Sequence, residues 1–436
     1  MKKAVTIFWF RRDLRLEDNA GLYYALRAGV PVLPVFIFDA DILDDLVDKH
    51  DKRVSFIYDT ILQLQTELKE LGSSLYVLYG KPLECFRKLA AAYDIAAVYT
   101  NHDYEPYAKQ RDAAVATLLR KENIALHSYK DQVIFEKDEV IKSNGDPYTV
   151  YTPYSRKWKE KLNDFYLSSY PTEKYFGNFL KQKAIAIPSL KDIGFERAEY
   201  EVARPELDKG VAKHYQETRN YPALDGTTKL GVHLRFGTIS IRKLAREVQA
   251  LNPQLLNELI WREFFQVILW HYPEVVTQSF KKEYDKIQWR NNEHEFEKWC
   301  KGETGYAIVD AGMRELNATG YMHNRVRMVV ASFLCKDLLI DWRWGEAYFA
   351  EKLMDYELAA NNGNWQWAAG TGCDAAPYFR VFNPTLQAEK FDPKAEYIKK
   401  WVPEYSSLSY VQPVVDHSAA RDRCIAAYKK ALAERG

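Results

Sequence analysis

The sequence has almost no net charge, few cysteines and no long apolar run. Lys plus Arg number 61 against 60 for Asp plus Glu, a formal charge of +1. Global electrostatics therefore gives no reason to expect a nucleic-acid partner, and any polyanion must be met by a local patch. The five cysteines, at 85, 300, 335, 373 and 424, show neither CxxC nor any other metal-type spacing. That excludes a zinc or disulfide scaffold and fits reduced thiols of a cytoplasmic protein. No stretch approaches the roughly 18 uncharged apolar residues of a membrane helix. The apolar run behind Lys2 and Lys3 is cut by Arg11 and Arg12 before it reaches signal-peptide length, so no membrane partner is expected. Also missing are GxGxxG after the first apolar run, GxxxxGK[ST], HExxH and GxSxG. Dinucleotide-loop, P-loop, metalloprotease and nucleophile-elbow chemistries are left without residues, and no metal is expected.

The sequence is rich in aromatics, 14% of it, and nine of the eleven tryptophans lie at or after Trp261. Through residue 130, short apolar runs (AVTIFWF at 4–10, PVLPVFIF at 31–38, SSLYVLYG at 73–80, AAVYTN at 96–101) alternate with amphipathic segments such as RVSFIYDTILQLQTELKELG, which a glycine closes. This spacing predicts an α/β domain over 1–130, a doubly wound parallel sheet with helices on both faces. Residues 131–204, rich in turn formers, Pro and Tyr, read as a long connector. From 205 to 436 apolar residues recur at three- and four-residue steps, which predicts a large all-helical domain holding most of the tryptophans.

Chemistry-bearing residues concentrate in that helical part. Glu258, Trp261 and Arg262 stand at i, i+3 and i+4 and share a helix face. Alone, this spacing predicts a surface ion pair from Glu258 to Arg262 beside a core indole. His323, Asn324, Arg327 and Met328 follow on two adjoining faces. Asp355 to Trp367 then packs two acids, three asparagines and two indoles into thirteen residues. Asn361 alone reads as a helix cap ahead of Gly363. Polar groups amid apolar helices need partners, and a large polar ligand with an aromatic body would supply them.

The segments WFRRDLRLEDN (9–19), NELIWREF (257–264), TGYAIVDAGMRELNATGYMHNRVRM (304–328), LLIDWRWGE (338–346) and LAANNGNWQWAAGTGCDAAPYFRVFNP (358–384) resemble the photolyase/cryptochrome family over essentially the whole chain, most of all its class I cyclobutane pyrimidine dimer photolyases. The resemblance implies FAD folded inside the helical domain, an antenna chromophore in the α/β domain, DNA carrying pyrimidine dimers as substrate, and light-driven electron transfer as the chemistry. It assigns cofactor contacts to Tyr215, the phosphate stretch Thr227, Thr228, Lys229, Leu230 and Gly231, Arg262, Arg327 paired with Asp355, Glu357, and Asn361 facing the redox-active flavin nitrogen. The family more often has Thr-Ser-x-Leu-Ser at 227–231, so Gly231 offers only backbone. Glu357 stands where Asp is usual, one methylene longer. An amide at 361 neither titrates nor releases a proton, which favours the more reduced flavin states.

The same resemblance makes Trp365, Trp342 and Trp289 an electron relay, and Trp261 and Trp367 the walls of the dimer cavity, completed by Glu258, Arg262, Asn324 and Met328. Base stacking on such rings contributes about 1–3 kcal/mol per base in single-strand binders. Trp270, Trp299 and Trp401 are left to core packing. Within the family, photolyases for (6-4) lesions and animal-type cryptochromes carry a second histidine where this chain has Asn324. Plant-type cryptochromes put Asp opposite the flavin nitrogen and lack the second stacking indole. Little chain follows Trp401 for an output tail. Repair of cyclobutane dimers by a monomer, on single- or double-stranded DNA, is the expectation, with a non-repairing photoreceptor or a (6-4) enzyme as alternatives. Folate-binding relatives use Asn and Glu where this chain has Tyr107 and Ala108, so hydroxydeazaflavin or FMN is favoured over methenyltetrahydrofolate, with Asp103 and Glu105 as contacts.

Overall fold

The computed structural model describes residues 2–433. It divides into two compact units that interleave along the chain. One comprises residues up to Glu136, Lys161–Leu207 and Lys229–Glu247; the other comprises Lys137–Glu160, Asp208–Thr228 and Val248 onward. The sequence-based division at 130 and 204 thus differs from the compact units. The expected connector is shared between them, and residues 229–247, expected in the helical domain, belong to the first unit.

The first unit holds five parallel strands, β1 (Lys3–Phe10), β2 (Val32–Asp39), β3 (Tyr76–Gly80), β4 (Tyr93–Asn101) and β5 (Ala125–Tyr129), in the order β3-β2-β1-β4-β5. All eight residues of β2 and the last six of β1 are buried, as expected for runs enclosed on both sheet faces. The longer helices between strands are α1 (Ala20–Leu26), α2 (Lys52–Glu70), α3 (Pro82–Ala92) and α4 (Pro106–Lys121), and a single turn, Ala40–Leu43, follows β2. Asp51 caps α2 by accepting from the Arg53 N–H at 2.8 Å, and Gly72 follows its end at φ +70°, the left-handed conformation that glycine adopts without strain. This strand order reverses direction between β1 and β4, and in open α/β sheets ligands bind outside the carboxyl ends of strands at that point.

The segments that follow β1 and β5 carry a buried charge network. Arg242 donates from Nε to Asp18 at 2.9 Å and from Nη2 to Asp131 at 2.8 Å, and Arg15 Nη2 reaches the second oxygen of Asp131 at 2.7 Å. Burial pushes the Asp131 carboxyl up, but Arg15 and Arg242 outweigh it and hold it below its ordinary range. A carboxyl depressed in this way adds stability above its unfolded pKa of about 3.9 and loses it as pH falls through the folded value. The stability difference between wild type and Asp131→Asn is therefore expected to be largest above about pH 4 and to close below it. Denaturant melts followed by amide exchange in β1 and β4 would read this; a difference that widened in acid would contradict it.

The second unit is helical. It contains α5 (Tyr151–Lys161), α6 (Pro253–His271), α7 (Asn324–Ser332), α8 (Trp342–Lys352), α9 (Leu358–Ala369) and α10 (His417–Ala433), with further helices between them, the 13-residue Ala307–Thr319 among them. α5 falls where the sequence suggested unstructured connector; Tyr154 and Trp158, four residues apart, bury one stripe of it. The core gathers Trp299, Val330, Phe333, Trp342, Phe349 and Trp365, with Trp289 half-buried against it. Gly345 on α8 allows the closest contact there, since a Cβ would stand 2.1 Å from the Trp365 ring. No helix among the described residues is long and apolar enough to cross a membrane. The cysteines are unpaired, four of them buried.

Candidate functional site

A cavity of about 100 Å³ in the second unit opens to solvent. Its wall includes Asn324, Arg327, Met328, Asp355, Glu357, Asn361, Trp365 and Trp367. Eight residues singled out in the sequence thus share one cavity, although they come from α7, the segment before α9, and α9 itself.

Arg327, Asp355 and Glu357 there are held by named partners. Arg327 Nη2 donates to Asp355 Oδ2 at 2.9 Å, and its Nε donates to the Met322 backbone oxygen at 2.7 Å. Burial works against the Arg327 cation, yet Asp355, Tyr321 and Glu315 raise its pKa above the ordinary value. The other Asp355 oxygen is buried and has no hydrogen-bond partner. An unsatisfied buried acceptor is costly, so this oxygen awaits a donor. Glu357, at the N-cap position of α9, makes no cap bond. Its carboxylate instead accepts from Arg262 Nη2 at 2.8 Å and Gln266 Nε2 at 3.0 Å, both on α6. Arg262 therefore pairs with Glu357 and not with Glu258, four residues earlier. The longer Glu side chain at 357 serves a buried pair, where the i,i+4 pairing on the helix surface is worth only about 0.2–0.5 kcal/mol.

Glu258 is engaged elsewhere. It forms an ion pair with Arg219 and accepts from Gln254 Nε2 at 2.8 Å. Trp261 stacks face to face on Tyr151, with ring centroids 3.6 Å apart and planes within 4°. The Tyr151 hydroxyl donates to the Asn257 backbone oxygen at 3.0 Å, tying the pair to the helix that carries Trp261. Glu258 and Trp261 are not among the residues lining the cavity. Asn361 lies within α9 and caps nothing; its amide nitrogen donates to Glu346.

Of the proposed relay, Trp365 lines the cavity, Trp342 is buried in the same core, and Trp289 is half-buried against it. Trp365 meets Phe349 at 5.0 Å and Trp299 at 6.1 Å between ring centroids. Trp299 is fully buried, as a core residue should be, whereas Trp270 and Trp401 are only partly buried. The phosphate stretch is divided between the units, Thr227 and Thr228 in the second and Lys229, Leu230 and Gly231 in the first. Thr227 Oγ1 lies 3.2 Å from the Tyr321 hydroxyl, and Tyr215 is covered by Arg219 at 5.8 Å.

In the first unit, Asp103 and Glu105 follow β4 as expected, but their carboxylates are occupied. Arg12 Nη1 donates to Asp103 at 3.1 Å and to Glu105 at 2.9 Å, and Arg235 Nη1 donates to Glu105 at 2.8 Å. Despite burial, Arg12 and the arginines around it hold Asp103 far below the usual carboxylate range. These acids act first as guanidinium anchors, a use that sequence spacing does not reveal.

Sequence reasoning missed Arg219, Tyr151, Gln266 and Glu346. Tyr151 fell in the expected connector, and Arg219 lies far from Glu258 in sequence. Glu346 closes the quoted segment LLIDWRWGE, so its place was visible and its partner was not.

Residues 255–409 match the family model described as the FAD binding domain of DNA photolyase, and residues 6–174 match the DNA photolyase model. The chain is 38% identical to a deoxyribodipyrimidine photo-lyase of Halobacterium salinarum, over 98% of this chain and 99% of that protein. It is 36% identical to the protein of that name in Escherichia coli, over 98% of each. Among solved structures it is similar to a bacterial class III photolyase from Agrobacterium tumefaciens (TM-score 0.87, 32% identity, 99% of this chain and 98% of that one). It is also similar to an archaeal photolyase from Sulfolobus tokodaii described with two FAD molecules (TM-score 0.79, 34% identity, 98% of this chain and 100% of that one). A Synechocystis cryptochrome shares the fold at TM-score 0.85 and 23% identity, covering 98% of this chain and 99% of that one.

Proposed function

The chain belongs to the photolyase/cryptochrome family, and on that premise we propose that it is a deoxyribodipyrimidine photo-lyase, a light-dependent enzyme that splits cyclobutane pyrimidine dimers in DNA. The observation that carries this reading is the cavity wall, which brings Arg327, Asp355, Glu357 and Asn361 together with Trp365 and Trp367. These residues fit FAD: the Asp355 oxygen without a partner suits an N–H donor on the polar edge of a flavin, and the cavity supplies aromatic surface for its body. Arg327, Asp355, Glu357 with Arg262, and Asn361 would hold the ring system; Tyr215 and residues 227–231 are proposed for the phosphates and ribose. Bound reduced FAD supplies the light-driven electron that cleaves the dimer.

The protein's part is to bind and orient. Glu258, fixed by Arg219 and Gln254, would meet the polar edges of the paired pyrimidines, with Asn324 and Met328 beside them. Trp367 on the cavity wall and Trp261, held flat by Tyr151, would supply stacking surfaces. Photolyases are among the standard examples of enzymes that extrude their target from the duplex, and extrusion enters here as that general property of such enzymes. With a formal charge of +1, binding to undamaged DNA, single- or double-stranded, is expected to be moderate and salt-sensitive. We assign the chain to the class I dimer-repair enzymes on Asn324, Asn361 and Trp367, acting as a monomer in the cytoplasm. An antenna, hydroxydeazaflavin or FMN, is proposed at the carboxyl ends of β1 and β4; Asp103 and Glu105 would act there by fixing Arg12 and Arg235.

The test is an absorption spectrum of the purified protein under blue light with a reductant, before and after addition of DNA carrying thymine cyclobutane dimers. Light-dependent loss of dimers by the reduced-flavin protein is the expected result, and an additional near-UV or blue band would report the antenna. Bound flavin that photoreduces but repairs no such dimer would replace this reading with a photoreceptor or a (6-4) enzyme. Well-folded protein without flavin would remove it.

A further inference from the structure

The amide of Asn361 is held from one side by one residue. Its Nδ2 donates to the backbone oxygen of Glu346 and to Glu346 Oε1, each at 3.0 Å. Both N–H bonds of the amide are spent in this way. A backbone carbonyl can only accept, so an inverted amide would set Oδ1 against that oxygen with no hydrogen between them; the surrounding acceptors thus decide which end is nitrogen. Oδ1 is consequently turned away from Glu346, and Asn361 lines the cavity. No described residue donates a hydrogen bond to that oxygen. Among the described residues Asn361 is also the side-chain partner of Glu346, whose carboxyl burial pushes up and this hydrogen bond partly restores.

We propose that Glu346 is a positioning residue that locks the Asn361 amide so that the cavity meets a hydrogen-bond acceptor and not a donor. The inference rests on the reading that FAD fills this cavity, with its redox-active nitrogen opposite Asn361. A nitrogen that carries hydrogen is stabilised by a facing acceptor, whereas a bare nitrogen opposes its own lone pair to the same oxygen. The locked amide therefore favours reduced flavin over oxidised flavin. Glu346 touches neither cofactor nor substrate in this account and acts only through the orientation of Asn361.

The test measures the midpoint potential of bound FAD in the full-length wild type, Glu346→Ala and Glu346→Gln. In Glu346→Ala the amide loses one of its two anchors and can turn its nitrogen to the flavin. The ratio of reduced to oxidised flavin at a fixed poise should fall at least tenfold, about 30 mV for a two-electron couple. Glu346→Gln keeps a carbonyl acceptor at the same place and should keep the wild-type potential. Simple removal of a negative charge would instead raise the potential in both variants, so the sign and the rescue together identify orientation. An unmoved potential in Glu346→Ala, or a fall as large in Glu346→Gln, overturns the proposal. Should Glu346→Ala not fold, hydrogen exchange of the Asn361 side-chain amide in the FAD-loaded wild type decides the matter: slow exchange of both hydrogens is expected, and fast exchange overturns it. Wild-type protein that takes up no FAD ends this inference together with the functional reading, whereas FAD uptake with an unmoved potential ends this inference alone.

Discussion

Replacing Trp365 with Phe is expected to abolish light-driven reduction of oxidised flavin while leaving dimer splitting by chemically reduced protein largely intact. Trp365 is the one tryptophan that both lines the cavity and lies buried in the core. An electron or hole leaving the cavity through aromatic side chains has Trp365 as its first oxidisable indole, with Trp342 buried in the same core and Trp289 half-buried against it. Phenylalanine keeps a ring against Phe349 and Gly345 but is far harder to oxidise. The structural cost should stay within the usual range for single substitutions, about 0.5–3 kcal/mol. Bleaching of the oxidised flavin band under blue light with an external donor measures the first effect, and dimer loss after dithionite reduction measures the second. Unchanged photoreduction would sink the proposed route.

The second large effect concerns stability. Arg242→Met is expected to destabilise the first unit by about 3–5 kcal/mol, because it leaves Asp18 and Asp131 buried without their shared guanidinium. Arg242 also donates to the Asp18 backbone oxygen at 2.6 Å and lies 4.9 Å from the centroid of the Tyr170 ring, so three chain segments lose one anchor together. For a unit of this size each kcal/mol shifts the midpoint by roughly 2–4 °C, which makes a drop on the order of 10 °C visible by calorimetry. Arg242→Lys should rescue little, since a point ammonium cannot reproduce the planar fork that reaches both acids. A midpoint within a degree or two of wild type in Arg242→Met would show that the network carries no net stability.

Much of the architecture was legible because its signals are local. The runs forming β1 and β2 are long, apolar and buried on both faces, and each declares a strand without reference to anything distant. β5 was not legible: ALHSY lies at the sheet edge, mostly exposed, and carries neither an apolar run nor clean alternation. β4 begins at Tyr93, three residues before its apolar run, because pairing with β1 carries it through Tyr93 and Asp94. α5 was hidden by its charged, tyrosine-rich composition, although Tyr154 and Trp158 are buried at helical spacing.

The site divides along the same line. Arg327 and Asp355 were paired correctly through resemblance, and their side chains meet at 2.9 Å. Spacing alone misdirected Arg262 toward Glu258, because an i,i+4 rule counts only neighbours on one helix. The partner that won, Glu357, is 95 positions away in sequence and buried, where a charge pair matters more. The anchoring of Asn361 by Glu346 and the stacking of Tyr151 on Trp261 are likewise tertiary facts with no signature in either segment alone.

The interleaving of the two units has a consequence for synthesis on the ribosome. The first unit includes residues as late as Glu247, and Arg242 belongs to that last contribution. The parallel sheet can therefore be translated completely, through Tyr129, while the guanidinium that Asp18 and Asp131 require has yet to be made. At about 5–20 residues per second the nascent sheet waits several seconds or more with Asp18 lacking its arginine and Asp131 held by Arg15 alone. A fragment ending at Glu136, which carries both acids but not Arg242, should for the same reason behave as an aggregation-prone intermediate and not as an autonomous domain. Vectorial synthesis here delivers the most apolar strands first and one of their electrostatic locks more than a hundred residues later.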